Sequence, residues 1–167
     1  AGRMPHRLTP GAADHTTTIR TVHHALFPLM TRITRLEFRA ESGPGSRMQW
    51  NHRGSGHVQV TVDGPDVFFQ EAFTLDNGLP CQDRKCWHFG AEGIIFRHFR
   101  EQRFQDILLL VPDASGIHLV AQAPYACPPD RYDGSLSLHA DTLELQLRIT
   151  GARKDEDIRY RYRADPG

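Results

Sequence analysis

From residue 31 onward, apolar and polar residues alternate in short runs separated by turn residues. In TRITRLEFRA (31–40), Leu36 and Phe38 share one side. In GHVQVTV (56–62), Val58, Val60 and Val62 alternate with Gln59 and Thr61. A period of two marks a half-buried strand, because successive strand side chains point to opposite faces. Strand-like runs recur at VFFQEAFTL (67–75), KCWHFG (85–90), GIIFRHFR (93–100), FQDILLLV (104–111) and GIHLVAQA (116–123). SLSLHA (135–140), TLELQLRIT (142–150) and DIRYRYRA (157–164) close the series. SGPG (42–45), DGPD (63–66) and DNGLP (76–80) read as turns, and YACPPDRYDG (125–134) as a loop with two prolines. About nine or ten short strands at regular spacing predict an all-β fold. The expected architecture is a single antiparallel β-barrel of lipocalin or calycin type, with about 8–10 strands.

One segment breaks the pattern. In TTTIRTVHHALFPLM (16–30), Ile19, Val22, His23 and Leu26 fall at helical spacing. Thr16 or Asp14 would cap this short helix and Pro28 would end it. In a barrel, such a helix plugs one mouth. Residues 1–15, polar and containing Pro and Gly, are expected to form a flexible tail, and residues 16–167 the barrel domain.

The last two strands have the sharpest alternation. Leu143, Leu145, Leu147 and Ile149 line one face, against Glu144, Gln146 and Arg148. Ile158, Tyr160 and Tyr162 oppose Arg159, Arg161 and Arg163, which either point into water or line a polar interior. GARKDE (151–156) is then a hairpin loop.

Composition narrows the classes of function. The 167 residues carry 20 Lys+Arg and 20 Asp+Glu, so the formal net charge is zero. A dedicated nucleic-acid binder would show a basic excess, and acids near the arginine stripe weaken its field further. No apolar run approaches the roughly 20 residues that cross a bilayer, and no secretory leader is evident near the start. Three cysteines (Cys81, Cys86, Cys127) are too few and too odd for a disulfide framework and suit a reducing compartment. A cytoplasmic location is the expectation. Basic residues are nearly all Arg; Lys85 and Lys154 are the only lysines.

The C-terminal third resembles the signature of an uncharacterised bacterial domain-of-unknown-function family with a lipocalin-like β-barrel. That signature runs Cys-x-x-Asp-x-Tyr, then Gly-Pro-Arg-Lys-Asp, then a final strand ending in Tyr-Arg. Cys127, Asp130 and Tyr132 fit the first element; Gly151, Arg153, Lys154 and Asp155 the second; Tyr162 and Arg163 the third. GSGHVQV (54–60) is similar to the family's Gly-x-Gly strand opening, and residues 93–109 to its central hairpin. Tyr125 and Gln105 stand where histidines are usual, and Ala152 where the family has Pro. The resemblance implies a barrel and carries no activity.

Candidate chemistry gathers first at Asp130, Tyr132, Arg153, Lys154 and Asp155. If the 125–132 loop and the 151–156 hairpin share one barrel end, these groups converge on a site for a small anion or polar ligand. The bland alternative is an ion-pair network that pins the hairpin. Tyr125, Trp87 and Arg148 join the set of ligand contacts, with Phe69, Phe73, Phe96 and Leu145 as apolar lining. Zinc would need Cys81, Cys86, His88 and Cys127, whose spacing departs from the usual pairs. WNHRGSG (50–56) is faintly similar to the opening of nitrobindin-like haem barrels, with His52, His57, His98, His118 and His139 as axial candidates; a glycine-rich bend explains it equally well. Neither metal nor cofactor is predicted. His98 with Glu101, or Tyr132 with Asp130, would form acid/base pairs, and no nucleophile motif is present.

The leading expectation is a barrel holding one small molecule in its interior, apolar with a polar or anionic group. An enzyme doing acid/base chemistry in the same cavity, a haem barrel, and a structural protein with a filled barrel are the alternatives. No nucleic acid or membrane partner is expected, and a homodimer stays open.

Overall fold

The computed structural model describes residues 11–113 and 117–166, with side chains from Thr17 onward. One helix, α1 (Gly11–Met30), precedes eleven strands. These are β1 (Ile33–Ser42), β2 (His52–Asp63), β3 (Asp66–Leu75), β4 (Pro80–Phe89), β5 (Ile94–Arg100), β6 (Arg103–Pro112), β7 (His118–Ala121), β8 (Tyr125–Cys127), β9 (Asp130–His139), β10 (Thr142–Thr150) and β11 (Asp155–Ala164). The sheet runs β10-β11-β1-β2-β3-β4-β5-β6-β7-β9, and β9 pairs again with β10. Ten antiparallel strands therefore close a barrel, and the short β8 adds to β9 on the same edge as β7, nearer the start of β9. Closure pairs the two ends of the sheet, which is how all-β folds limit the exposure of unpaired backbone.

Alternation decides what enters the barrel. On β10, Leu143, Leu145 and Ile149 are buried; on β11, Glu156, Tyr160 and Tyr162 are buried while Arg159, Arg161 and Arg163 are exposed. The arginine stripe thus faces water. Arg161 and Arg159 reach Glu144 on β10, and Arg163 reaches Glu37 on β1.

Three sequence expectations are corrected. The helix begins at Gly11, so Asp14 and Thr16 lie inside it, and residues 11–15 are helical; residues 1–10 of the expected tail lie outside the described residues. Pro28 does not end the helix. It forfeits one backbone bond, but Leu29 and Met30 just beyond it are buried in the core, and that packing carries the helix two residues further. The 125–134 loop is a tight hairpin: Tyr125 opposes Tyr132 and Cys127 opposes Asp130 across the Pro128–Pro129 turn. Proline cannot join the ladder, so the two prolines form the turn and their neighbours pair.

The two barrel ends differ. α1 closes the end where β3 begins and β4 ends, burying Ile19, Val22, Leu26, Leu29 and Met30. His23 and Phe27 stack edge-on against Phe89 there. The opposite end is bounded by the 43–51 segment, the β3–β4 and β5–β6 turns, the Pro128–Pro129 turn and the 151–154 hairpin. Buried Glu156 fastens the 43–51 segment: its Oε1 accepts from Ser42 Oγ at 2.9 Å and Ser46 Oγ at 2.6 Å. Arg47 N donates to the Arg153 carbonyl at 2.8 Å. Among the described residues, no helix is long and apolar enough to cross a membrane.

Gly54 and Gly56 mark the sharp coil between β2 and β3. A Cβ at Gly56 would lie 2.0 Å from the Ala72 carbonyl oxygen and 2.5 Å from the Phe73 Cα. Backbone cannot yield as a side-chain tip can, so Gly56→Ala should cost roughly 3 kcal/mol in urea unfolding. Gly64→Ala, in a turn at φ +56 with open space around it, should cost about 1 kcal/mol. Equal midpoints for the two variants would contradict this account of the coil.

Candidate functional site

The interior is filled from the helix end to the middle. Trp87, Phe69, Phe96 and Tyr162 are almost fully buried and stack edge-on or tilted on one another. Next comes a polar layer. Glu71 on β3 follows the phase of Val67, Phe69 and Phe73, and Lys85 on β4 follows that of Trp87 and Phe89. Both point inward, and each is only 1% exposed. A charge so placed must be paired, because burying an isolated ion is prohibitive.

The pairing is continuous. Lys85 Nζ donates to Glu71 Oε1 at 2.5 Å and to Asp83 Oδ2 at 2.9 Å. Tyr162 OH donates to Glu71 Oε2 at 2.5 Å. The ammonium also lies 3.6 Å from the centroid of the Tyr160 ring. Asp83 Oδ1 lies 2.6 Å from His98 Nε2. The chain His98–Asp83–Lys85–Glu71–Tyr162 therefore runs from the open end inward. The side chains of Asp83 and His98 are 18% and 30% exposed, so the chain meets solvent at His98.

Burial alone would drive Lys85 toward its neutral form, but Glu71, Tyr160 and Asp83 outweigh it and hold the ammonium above its ordinary pKa. Burial also opposes ionisation of Asp83; Lys85 and His98 overcome it and hold the carboxyl well below the usual range. For Glu71, burial wins over Lys85 and Tyr162, and its pKa is raised. Burial likewise raises Tyr160 and Tyr162. The layer is thus a fixed ammonium on an ionised aspartate, beside a carboxyl that resists ionisation.

The expected ligand residues are distributed as follows. Lys154 Nζ holds Asp130 Oδ2 at 2.9 Å and lies 5.6 Å from the Trp50 ring centroid. Tyr125 and Tyr132 pack edge-on with centroids 5.9 Å apart. These four meet at the open end, with the two hairpins adjoining as expected: Asp130 Oδ1 sits against Gly151. Arg153 is exposed and joins through its carbonyl. Arg148 is on the outer face, paired with Asp155 at 2.9 Å. Trp87 is in the filled middle, its Nε1 buried without a partner. Of the apolar lining set, Phe69, Phe96 and Leu145 are in the core with it, whereas Phe73 faces Phe38 and Tyr160 nearer the mouth.

Other candidates separate. His98 faces Asp83, while Glu101 sits exposed in the β5–β6 turn. Cys86 and His88 are on the outer face and Cys81 on the inner one, because odd and even residues of β4 alternate. No group of three His, Cys, Asp or Glu side chains placed to hold a metal occurs among the described residues. The axial candidates lie on β2, β5, β7 and β9, and His52 leans on Asp76 at 3.2 Å. Two clefts of about 560 and 580 Å³ lie on the outer face of β1, β2 and β11, between arginines and Ser55 and Thr74.

Glu71, Asp83, Lys85 and Arg100 were not among the sequence candidates. Their signal was phase: charged residues at the apolar positions of consecutive strands. Lysine rarity was a second signal, since both lysines of this arginine-rich chain hold interior-facing carboxylates.

Fold and site define a closed antiparallel barrel, plugged at one end, with a buried charged layer beneath the other. The chain belongs to the Family of unknown function (DUF6314), matched over residues 36–164. No curated protein matches it. Among solved structures it is similar to a de novo designed fluorescence-activating β-barrel, at 12% identity and TM-score 0.38, over 79% of this chain and 92% of that one. It is also similar to EF1p2_mFAP2b bound to DFHBI, at 6% identity and TM-score 0.47, over 83% and 96%. A putative oleoyl thioesterase from Lactobacillus plantarum is similar at 8% identity and TM-score 0.21, over 92% and 83%.

Removing the ammonium tests the layer. Lys85→Met leaves two inward carboxylates without their cation and should cost about 3–5 kcal/mol near neutral pH. Without Lys85, burial acts unopposed by the ammonium on Glu71, whose stability contribution is present below its unfolded pKa and lost as pH rises through the higher folded one. Urea midpoints of the variant should therefore be higher at pH 5 than at pH 8. In the native protein the depressed Asp83 works the other way, its contribution complete above its ordinary pKa and lost as pH falls through the folded value. A Lys85→Met midpoint equal to that of the native protein would contradict the layer's role.

Proposed function

We propose that the protein is a small-molecule-binding barrel whose ligand, an apolar body with an anionic group, sits at the end opposite α1. The observation that carries this reading is the change of lining along the axis. The helix end is apolar and filled, whereas the other end turns half-buried polar groups inward above the Lys85 layer. Polar groups that converge in a part-buried concavity lined by apolar side chains are the usual makings of a small-molecule site. The filled middle sets the depth: the ligand rests on the layer and does not run through the barrel. Phe38, Leu147 and Ile158, all part-buried, give the apolar wall.

A second reading is favoured by the His98–Asp83 contact. With Nε2 on Asp83, Nδ1 is the ring nitrogen left for proton transfer at the mouth. In this reading the barrel is an enzyme that moves a proton on its bound molecule, and His98→Gln would abolish turnover of a ligand recovered from the protein while leaving its binding intact.

Native mass spectrometry of protein as purified from cells, followed by titration with the anionic dye 1-anilinonaphthalene-8-sulfonate, tests the binding reading. One saturable site per chain, with unchanged near-ultraviolet circular dichroism, is expected. A protein that carries no retained mass and leaves the dye unbound would overturn it.

A further inference from the structure

Arg100 differs from the other inward-facing cations. It is the last residue of β5, in phase with Ile94, Phe96 and His98, and its register partner is Arg103 across the two-residue turn. Lys85 is held by Glu71 and Asp83, and Lys154 by Asp130. Arg100 has no carboxylate partner among the described residues. Its guanidinium carbon lies 5.2 Å from the Tyr132 ring centroid and 6.0 Å from that of Tyr125. Its Nε is buried with no hydrogen-bond partner. Its backbone is steadied by Gln105, whose Nε2 donates to the Arg100 carbonyl at 3.2 Å.

The Arg100 fork is thus held by two rings and has no acceptor among the described residues. A guanidinium presents five donors in a planar fork that fits a carboxylate with two parallel hydrogen bonds. Aromatic rings can hold the plane of that fork but cannot accept its N–H bonds in the plane. A buried donor left unsatisfied is costly. The ladder is also interrupted beside Arg100. β6 pairs with β7 only through Leu110, Val111 and Pro112, and β8 pairs with β9, so the first half of β6 has no ladder partner on that side.

The geometry points to Arg100, framed by Tyr125 and Tyr132, as the anchoring subsite for the carboxylate of an aromatic or otherwise apolar acid. This rests on the mouth being the ligand site. The tyrosine rings present apolar faces to the body of the acid, and His98, two residues back on the same face of β5, borders it. Arg153 and Lys154 do not serve as the anchor: one is exposed and the other already neutralises Asp130.

The test compares 2-naphthoate with 2-naphthamide, which share a body and differ in charge, by calorimetric titration of the native protein and of Arg100→Gln. Native protein should prefer the acid by about ten-fold or more, the discrimination expected of a charge-assisted pair. Arg100→Gln should erase that preference and leave the affinity for the amide within about two-fold. An unchanged preference in Arg100→Gln, or equal affinity of native protein for both probes, overturns the subsite while leaving the mouth as a ligand site. Failure of both probes to bind overturns the mouth reading and this inference with it. If Arg100→Gln does not fold, the nitrogen-15 spectrum of native protein decides. The Arg100 Nε–H resonance should move on adding naphthoate and not naphthamide, and an unmoved resonance with naphthoate bound refutes the anchor.

Discussion

The Lys85 ammonium governs the inside of this barrel. A strand position that alternation turns inward cannot hold a charge unless neighbouring strands supply acceptors. Glu71 from β3, Asp83 from β4 and the Tyr160 ring from β11 surround it, and Tyr162 takes the far oxygen of Glu71. Slipping β3 on β4 by one residue would turn Glu71 outward and leave the ammonium facing Phe68 or Gln70 positions on the wrong side of the sheet. The pairing register and the charged layer thus require each other. Replacing such a layer with apolar side chains is often neutral or stabilising in other proteins, so its presence speaks for register or chemistry more than for stability.

The layer also divides the barrel by its lining. Below it, aromatic and aliphatic side chains fill the space to α1, with no buried charge there among the described residues. Above it, Asp83, His98 and Arg100 share a mouth with Tyr125, Tyr132 and the Asp130–Lys154 pair. The 43–51 segment lies across part of that end, tied by Ser42 and Ser46 to Glu156 and by Arg47 to the 151–154 hairpin. The hairpin that stands out in the sequence is therefore a fastening of the mouth, and its Lys154 is already occupied.

Much of the fold was legible. The alternation of β10 and β11 marks both strands, though the structure had to show that their arginine face is the wet one, and the helical spacing of Ile19, Val22 and Leu26 marks α1. The convergence of Asp130 with Lys154 was legible too, since adjoining hairpins put the two at one end. The stop at Pro28 failed because a rule about one backbone bond was outweighed by burial of Leu29 and Met30. The 125–134 segment read as a loop because prolines mask the short ladder on either side.

Sequence by itself determined the strand periods and most of the turns, because these follow from backbone geometry over a few residues. It even contained the anomaly of Glu71 and Lys85 at apolar phase. It did not determine that these two residues, Asp83, His98 and Tyr162 form one chain, or that Arg100 is an inward-facing cation with no carboxylate partner among the described residues. The β3–β4 and β4–β5 registers join the first four, and the Tyr162 contact and the rings around Arg100 depend on which distant strands come together when the barrel closes. Barrel closure sets both through contacts far apart in the chain, so only the tertiary structure decided which charges were paired and which was left open.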